Sequence, residues 1–183
     1  QYNLNFLSKI GNVKFFSPLN NDSFENGDFI YIGGGYPELY KEELEISNRT
    51  KESIIESFHN NKIIYGECGG LMYLMEKITD GNLNYKMTGL FKGIVNEKSG
   101  LTLGYTELIA NKDYFAFKKG EIIKGHEFHY SSVQSNGPFA LDVKKGKGIN
   151  GKDGFYDKNA FASYTHIHFF PYKEKIFRYL NKL

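Results

Sequence analysis

The sequence predicts an α/β fold built on a doubly wound parallel sheet, with antiparallel strands added in its C-terminal half. Three observations carry this. Residues 1–76 alternate helix-like and strand-like segments in the order α-β-α-β-α. Two of the strands run into glycine-rich turns, Gly33-Gly34-Gly35 and Gly66-Glu67-Cys68-Gly69-Gly70. From residue 83 onward, short strand-like runs succeed one another, punctuated by Gly, Asn and Lys.

The elements follow from local pattern. Leu4, Phe6, Leu7 and Ile10 recur at helical spacing over residues 2–10. Val13–Phe16 and Asp28–Ile32 read as strands. Residues 37–60 read as helix in two pieces joined near Ser47, a residue type that caps helices. Ile63-Ile64-Tyr65 is apolar and β-leaning, and Leu71–Met75 is a helix-like run. Segments 83–86, 101–109, 121–133, 139–144 and 154–164 read as strands, and Tyr172–Leu180 as a closing helix. An open α/β domain ordinarily begins with a strand, whereas this chain opens on a helix. The expectation is therefore a fragment of a longer protein, lacking a first strand. Tyr2–Phe6 as that strand, with Asn3 and Asn5 between apolar residues, is the alternative. Neither a repeat nor a linker divides residues 1–183.

Composition bounds the function. A chain of 183 residues with 40% hydrophobic residues can bury a sizeable core in one domain. The net charge of +2, with both signs spread along the chain, points to no nucleic acid and no anionic membrane. No apolar run reaches the ~20 residues of a membrane span, and no signal peptide is evident. One cysteine excludes an internal disulfide and fits a cytoplasmic protein.

That cysteine sits in the most informative stretch. Gly66–Gly70 places a lone nucleophile candidate between glycines, after a strand and before a helix, as in a nucleophile elbow. Small neighbours admit a substrate carbonyl, and the helix start favours a thiolate and a developing oxyanion. A buried structural cysteine beside a turn is the plainer alternative. Gly33–Gly35, at a strand end where α/β sheets bind ligands, offers inward-facing amides suited to an oxyanion hole. It lacks the Lys-Ser/Thr of a phosphate loop.

Histidine supplies the usual base for a cysteine nucleophile. His166 and His168 lie two apart in a strand-like run and would share a face. With no Asp or Glu close by, the pair does not suggest zinc, and no metal is expected. In Gly125–Ser131, Glu127, His129 and Ser131 share one strand face and His126, Phe128 and Tyr130 the other. That segment fits a metal site, an orienting carboxylate or a cross-strand hydrogen-bond ladder equally well. His59, beside Asn60 and Asn61, reads as a surface residue.

Four motifs taken together closely resemble one family: G-G-G-Y-P-E-L, Y-G-E-C-G-G-L-M-Y-L, G-H-E-F-H-Y-S and A-S-Y-T-H-I-H-F. They resemble, in order, the C-terminal glutamine amidotransferase domain of the cobyrinic acid a,c-diamide synthases. Phe15–Leu19 also fits, and the resemblance covers nearly the whole chain. It implies a class I, triad-type glutaminase with a flavodoxin-like α/β sheet flanked by helices. Cys68 matches the family's nucleophile and His166 its base. Backbone amides near Gly34 and Gly35, with that of Gly69, would form the oxyanion hole. Related enzymes carry an orienting glutamate two residues after the histidine, where this chain has His168. Glu127 is a candidate for support by its chemistry alone.

The resemblance also implies partners. Glutamine is the substrate, and the chain itself needs no cofactor. ATP and Mg²⁺ would belong to an N-terminal synthetase domain holding the corrinoid acceptor. The acceptor itself, cobyrinic acid, hydrogenobyrinic acid or a nickel-sirohydrochlorin, is left open. Another cysteine hydrolase of the same fold, or a non-catalytic binding module, are the rival readings.

Overall fold

A computed structural model describes residues 2–25 and 27–182. Its larger sheet has eight strands, in the order β1-β2-β11-β10-β9-β6-β7-β12. β1 (Phe29–Ile32), β2 (Ile63–Glu67) and β11 (Ala160–Ser163) are parallel. The remaining strands, β10 (Lys152–Asp157), β9 (Phe139–Lys145), β6 (Thr102–Ala110), β7 (Ile122–His129) and β12 (His166–Ile167), join antiparallel. The parallel part is thus confined to three strands, one of them from the C-terminal half.

β2 shows why the sequence builds a buried parallel strand. All five residues are buried. Ile64 packs into one core with Ile54 and Phe58 of α3 (Asn48–His59) and Leu71 of α4 (Gly69–Leu74). Ile63 and Tyr65 enter a second core with Leu7 of α1 (Tyr2–Ile10) and Ile176 of α5 (Lys173–Leu180). Helices on both faces leave no solvated side, so the strand is apolar in succession rather than alternating. Each fully buried Ile or Leu is worth about 1.5–3 kcal/mol in removal of apolar surface from water.

Several expectations hold and several do not. The opening segment is helix, so the Tyr2–Phe6 strand is overturned. The two-piece helix appears as a 3-10 turn at Pro37–Leu39, then α2 (Lys41–Glu45) and α3. Ser47 occupies the N-cap position but does not cap. Its Oγ donates to the Leu44 carbonyl at 2.7 Å and meets Tyr73 Oη at 2.7 Å. Val13–Phe16 forms no strand. Among the described residues it has no ladder partner: Phe15 is 80% exposed, and Phe16 packs tilted against Phe24, ring centroids 4.4 Å apart.

Two strands had no sequence expectation, β3 (Met75–Thr79) and β5 (Phe91–Asn96). With β4 (Asn84–Lys86) and β8 (Ser132–Gln134) they make a second sheet, β4-β3-β5-β8. The helix-like run ends at Leu74 because the next carbonyls are claimed from outside the helix. Thr88 N–H donates to Tyr73 O and Gly89 N–H to Met75 O. Among the described residues no helix is long and apolar enough to cross a membrane.

Candidate active site

The elbow is built by backbone geometry. β2 ends at Glu67, and α4 starts at Gly69. Cys68 between them takes φ 51° and ψ −102°, a conformation a non-glycine residue rarely adopts. Such a position costs about 1–3 kcal/mol and persists only where its surroundings hold it. Here Cys68 N–H donates to Ser163 O at 2.8 Å, and Met72 N–H to Cys68 O at 3.1 Å. The turn is tight enough that a β-carbon on Gly70 would overlap the Ile32 carbonyl oxygen. Cys68 is buried, its Sγ 3.5 Å from the Phe128 carbonyl oxygen.

His166 is delivered to that sulfur by β12. The segment leading into it is pinned by Asp153, a fully buried carboxylate. Asp153 accepts N–H groups from Tyr164 and Thr165, both at 3.0 Å, and from Gly154 at 2.8 Å. β12 then pairs His166 with His126 of β7, and the two rings stack at 4.8 Å and 12°. Burial alone would pull the His166 imidazole down. The neighbouring Cys68 thiol and the hydrogen-bonded Glu67 carboxylate outweigh it and push His166 up to about 10. An imidazole held protonated beside a sulfur is a counter-ion for thiolate.

The glycine loop after β1 closes the third side. A β-carbon on Gly34 would lie 2.6 Å from His166 Cε1, and one on Gly69 would lie 2.7 Å from the Gly35 nitrogen. So the structure brings Cys68, His166, Gly34, Gly35 and Gly69 together, from chain positions as far apart as 34 and 166.

Two expected helpers lie elsewhere. Glu127 is buried as the β7 alternation requires, but it faces the turn after β9. It accepts Lys147 N–H at 2.9 Å and Gly148 N–H at 2.7 Å, with His129 Nε2 at 3.8 Å. These contacts hold its carboxyl below the usual range against the opposing effect of burial. His129 stacks on Tyr164 at 3.9 Å. Glu127 and His129 therefore clamp the turn after β9, and Glu127 makes no contact with His166. His168 is exposed and packs on Tyr2 at 5.2 Å, because β12 ends at Ile167. His59 is exposed at the end of α3, edge-on to Phe58.

One residue at the site had no expectation. Glu67 Oε1 accepts from His166 Nδ1 at 3.0 Å. Strand alternation would set residues 67 and 68 on opposite faces. The available signal was a carboxylate at the end of an otherwise apolar strand, since buried acids are rarely left unpaired.

Comparison with known proteins agrees with this geometry. Residues 1–174 match the CobB/CobQ-like glutamine amidotransferase domain family. The chain is 48% identical over 171 residues to a cobyrinate a,c-diamide synthase of Sulfolobus acidocaldarius, covering 91% of this chain and 39% of that protein. It is 46% identical over 180 residues to the synthase of Saccharolobus solfataricus, covering 96% and 42%. The chain thus spans about two fifths of the relatives it matches. In fold it is similar to PurLQS from Thermotoga maritima, with a TM-score of 0.65, 17% identity, and 88% and 82% coverage of the two chains. It is also similar to a glutamine amidotransferase of the same organism, with a TM-score of 0.56, 13% identity, and 84% and 63% coverage. With the family match spanning residues 1–174, this chain belongs to the CobB/CobQ-like glutamine amidotransferase domain family.

Proposed function

We propose that this domain hydrolyses glutamine through a Cys68 thioester and supplies the ammonia used by a cobyrinate a,c-diamide synthase. The observation that carries the reading is the convergence of Cys68, at a strand-to-helix elbow, with His166, held by Glu67 at 3.0 Å, in a site walled by Gly34, Gly35 and Gly69.

In this mechanism the Cys68 thiolate attacks the side-chain carboxamide carbon of glutamine. The amides near Gly34, Gly35 and Gly69 receive the oxyanion, and losing one such donor typically costs ~10²–10³ in rate. The imidazolium of His166 gives its proton to the departing ammonia as the C–N bond breaks. Neutral His166 then takes a proton from water, whose oxygen attacks the thioester. Glutamate leaves and the thiolate–imidazolium pair is restored. Ammonia passes to a synthetase part of the same protein, where ATP and Mg²⁺ activate the a and c carboxylates of the corrinoid. A single free thiol suits a reducing cytoplasm for this chemistry.

The test is Cys68→Ala in the full-length synthase. Glutamine-dependent amidation is lost and ammonia-dependent amidation is retained. Equal loss with both nitrogen donors would show that Cys68 serves the fold or the acceptor site instead.

A further inference from the structure

We infer that Glu67, the residue immediately before the nucleophile, is the positioning carboxylate for His166. The inference rests on the glutaminase reading above and adds to it the group that sets the base's tautomer and charge.

Geometry carries it. Glu67 Oε1 lies 3.0 Å from His166 Nδ1, which leaves Nε2 as the ring nitrogen free to serve the sulfur. The Glu67 side chain is 6% exposed and that of His166 21%, so the contact is shielded from water on the carboxylate side. Glu67 is itself held from two further elements. Tyr31 Oη of β1 donates to Oε1 at 3.2 Å, and Asn3 Nδ2 of α1 reaches Oε2 at 3.5 Å. Asn3 also spans the strand that carries the base: its Nδ2 donates to Ile167 O at 2.8 Å, and its Oδ1 accepts Phe169 N–H at 2.8 Å. Base and carboxylate are therefore fastened to the same asparagine.

The elbow explains how adjacent residues serve one imidazole. In a continuing strand, Glu67 and Cys68 would point to opposite faces. The positive φ at Cys68 breaks that alternation and brings sulfur and carboxylate to the same ring. His168, where related enzymes carry the orienting acid, is turned out against Tyr2 and is not needed for that task. The titratable groups around His166 are Cys68 at the elbow, Glu67 at the end of β2 and His126 from β7. Tyr31 stands behind Glu67, and His168 is exposed beyond the strand end.

The test uses Glu67→Gln and Glu67→Asp in the full-length synthase. Glutamine can still accept from Nδ1–H but carries no charge, while aspartate keeps the charge but falls short of the ring. Two readouts are taken: glutaminase kcat/KM, and the pH profile of Cys68 alkylation by iodoacetamide. With glutamine at 67, the imidazolium loses its counter-charge and the alkylation midpoint moves to higher pH. With aspartate at 67, orientation is lost and kcat/KM falls by about 10²-fold or more, toward the ~10⁴ seen when an orienting acid fails to hold the tautomer. Glutaminase and alkylation profiles of both variants that superimpose on wild type would overturn the inference. So would activity losses that follow only a fall in melting temperature. If the wild-type synthase itself shows no Cys68-dependent glutaminase, the failure belongs to the reading of function and not to Glu67.

Discussion

Gly34 faces His166 across the site, so closely that a single added methyl group on residue 34 would stand 2.6 Å from the imidazole Cε1. The imidazole is the movable partner of the two. Gly34→Ala should therefore displace the ring and spare the fold. A misplacement of about 1 Å at a catalytic group costs roughly 10² in rate. Glutaminase kcat/KM is expected to fall by about that factor with little change in melting temperature. The neighbouring Gly35→Ala meets nothing within 4 Å and should fold equally well. A Gly34→Ala enzyme of normal activity would show that the loop shifts freely away from the base.

Gly70 makes the opposite prediction. Its β-carbon would meet backbone, the Ile32 carbonyl, which cannot rotate away. Gly70→Ala should destabilise the domain by about 3 kcal/mol or prevent folding, at the upper end of overpacking costs. Urea unfolding at neutral pH, beside Gly34→Ala, measures the contrast.

His166 and His168 should separate sharply. On the mechanism proposed above, His166→Ala removes the proton carrier, worth ~10²–10⁴ in such reactions, and should slow Cys68 alkylation at neutral pH. His168→Ala removes an exposed ring that packs on Tyr2, and should leave both measurements near wild type. Kinetics and alkylation of the two variants decide. Greater damage from the His168 change would reverse the assignment.

Glu127 predicts an acid limb. Its folded carboxyl titrates below the ordinary 4.5, held there by His129 and the Lys147 and Gly148 amides despite burial. The folded state therefore binds fewer protons than the unfolded one in that range. Stability from this group is present above pH 4.5 and is lost as pH falls through the folded value. Glu127→Gln should cost about 1–3 kcal/mol at pH 7, the usual penalty for disrupting buried hydrogen bonds. The gap to wild type should narrow below pH 4. Unfolding midpoints across pH 3–7 test this, and a gap that widens in acid would refute it.

The elbow and the C-terminal strands were legible because each is a local pattern. Ile63–Gly70 couples an apolar run to glycines, and β6 and β7 alternate over most of their length. Val13–Phe16 has the same local look as a strand, but a strand needs a neighbour, and neighbours are a property of the whole fold. β3 begins inside a run that looks helical up to Met75, and it is carbonyl acceptance from Thr88 and Gly89 that ends the helix. Glu67 escaped for a related reason. Period-two alternation holds only while φ stays negative, and the positive φ at Cys68 is a property of the folded chain. The clamp role of Glu127 was open in the sequence because its acceptors, the amides of residues 147 and 148, lie 20 and 21 positions away.

The hydrogen bond between residues 67 and 166 spans 99 positions, and that between residues 3 and 169 spans 166. Synthesis runs from the N-terminus, so the Cys68 thiol emerges long before the His166 imidazole that comes to lie beside it. Until β12 docks, the nascent domain carries Cys68 without the imidazole of His166. Contacts this distant form late and slowly. The pairing of residues 67 and 166 is thus completed late, and a ribosome stalled before residue 166 releases a chain whose Cys68 has no such imidazole beside it.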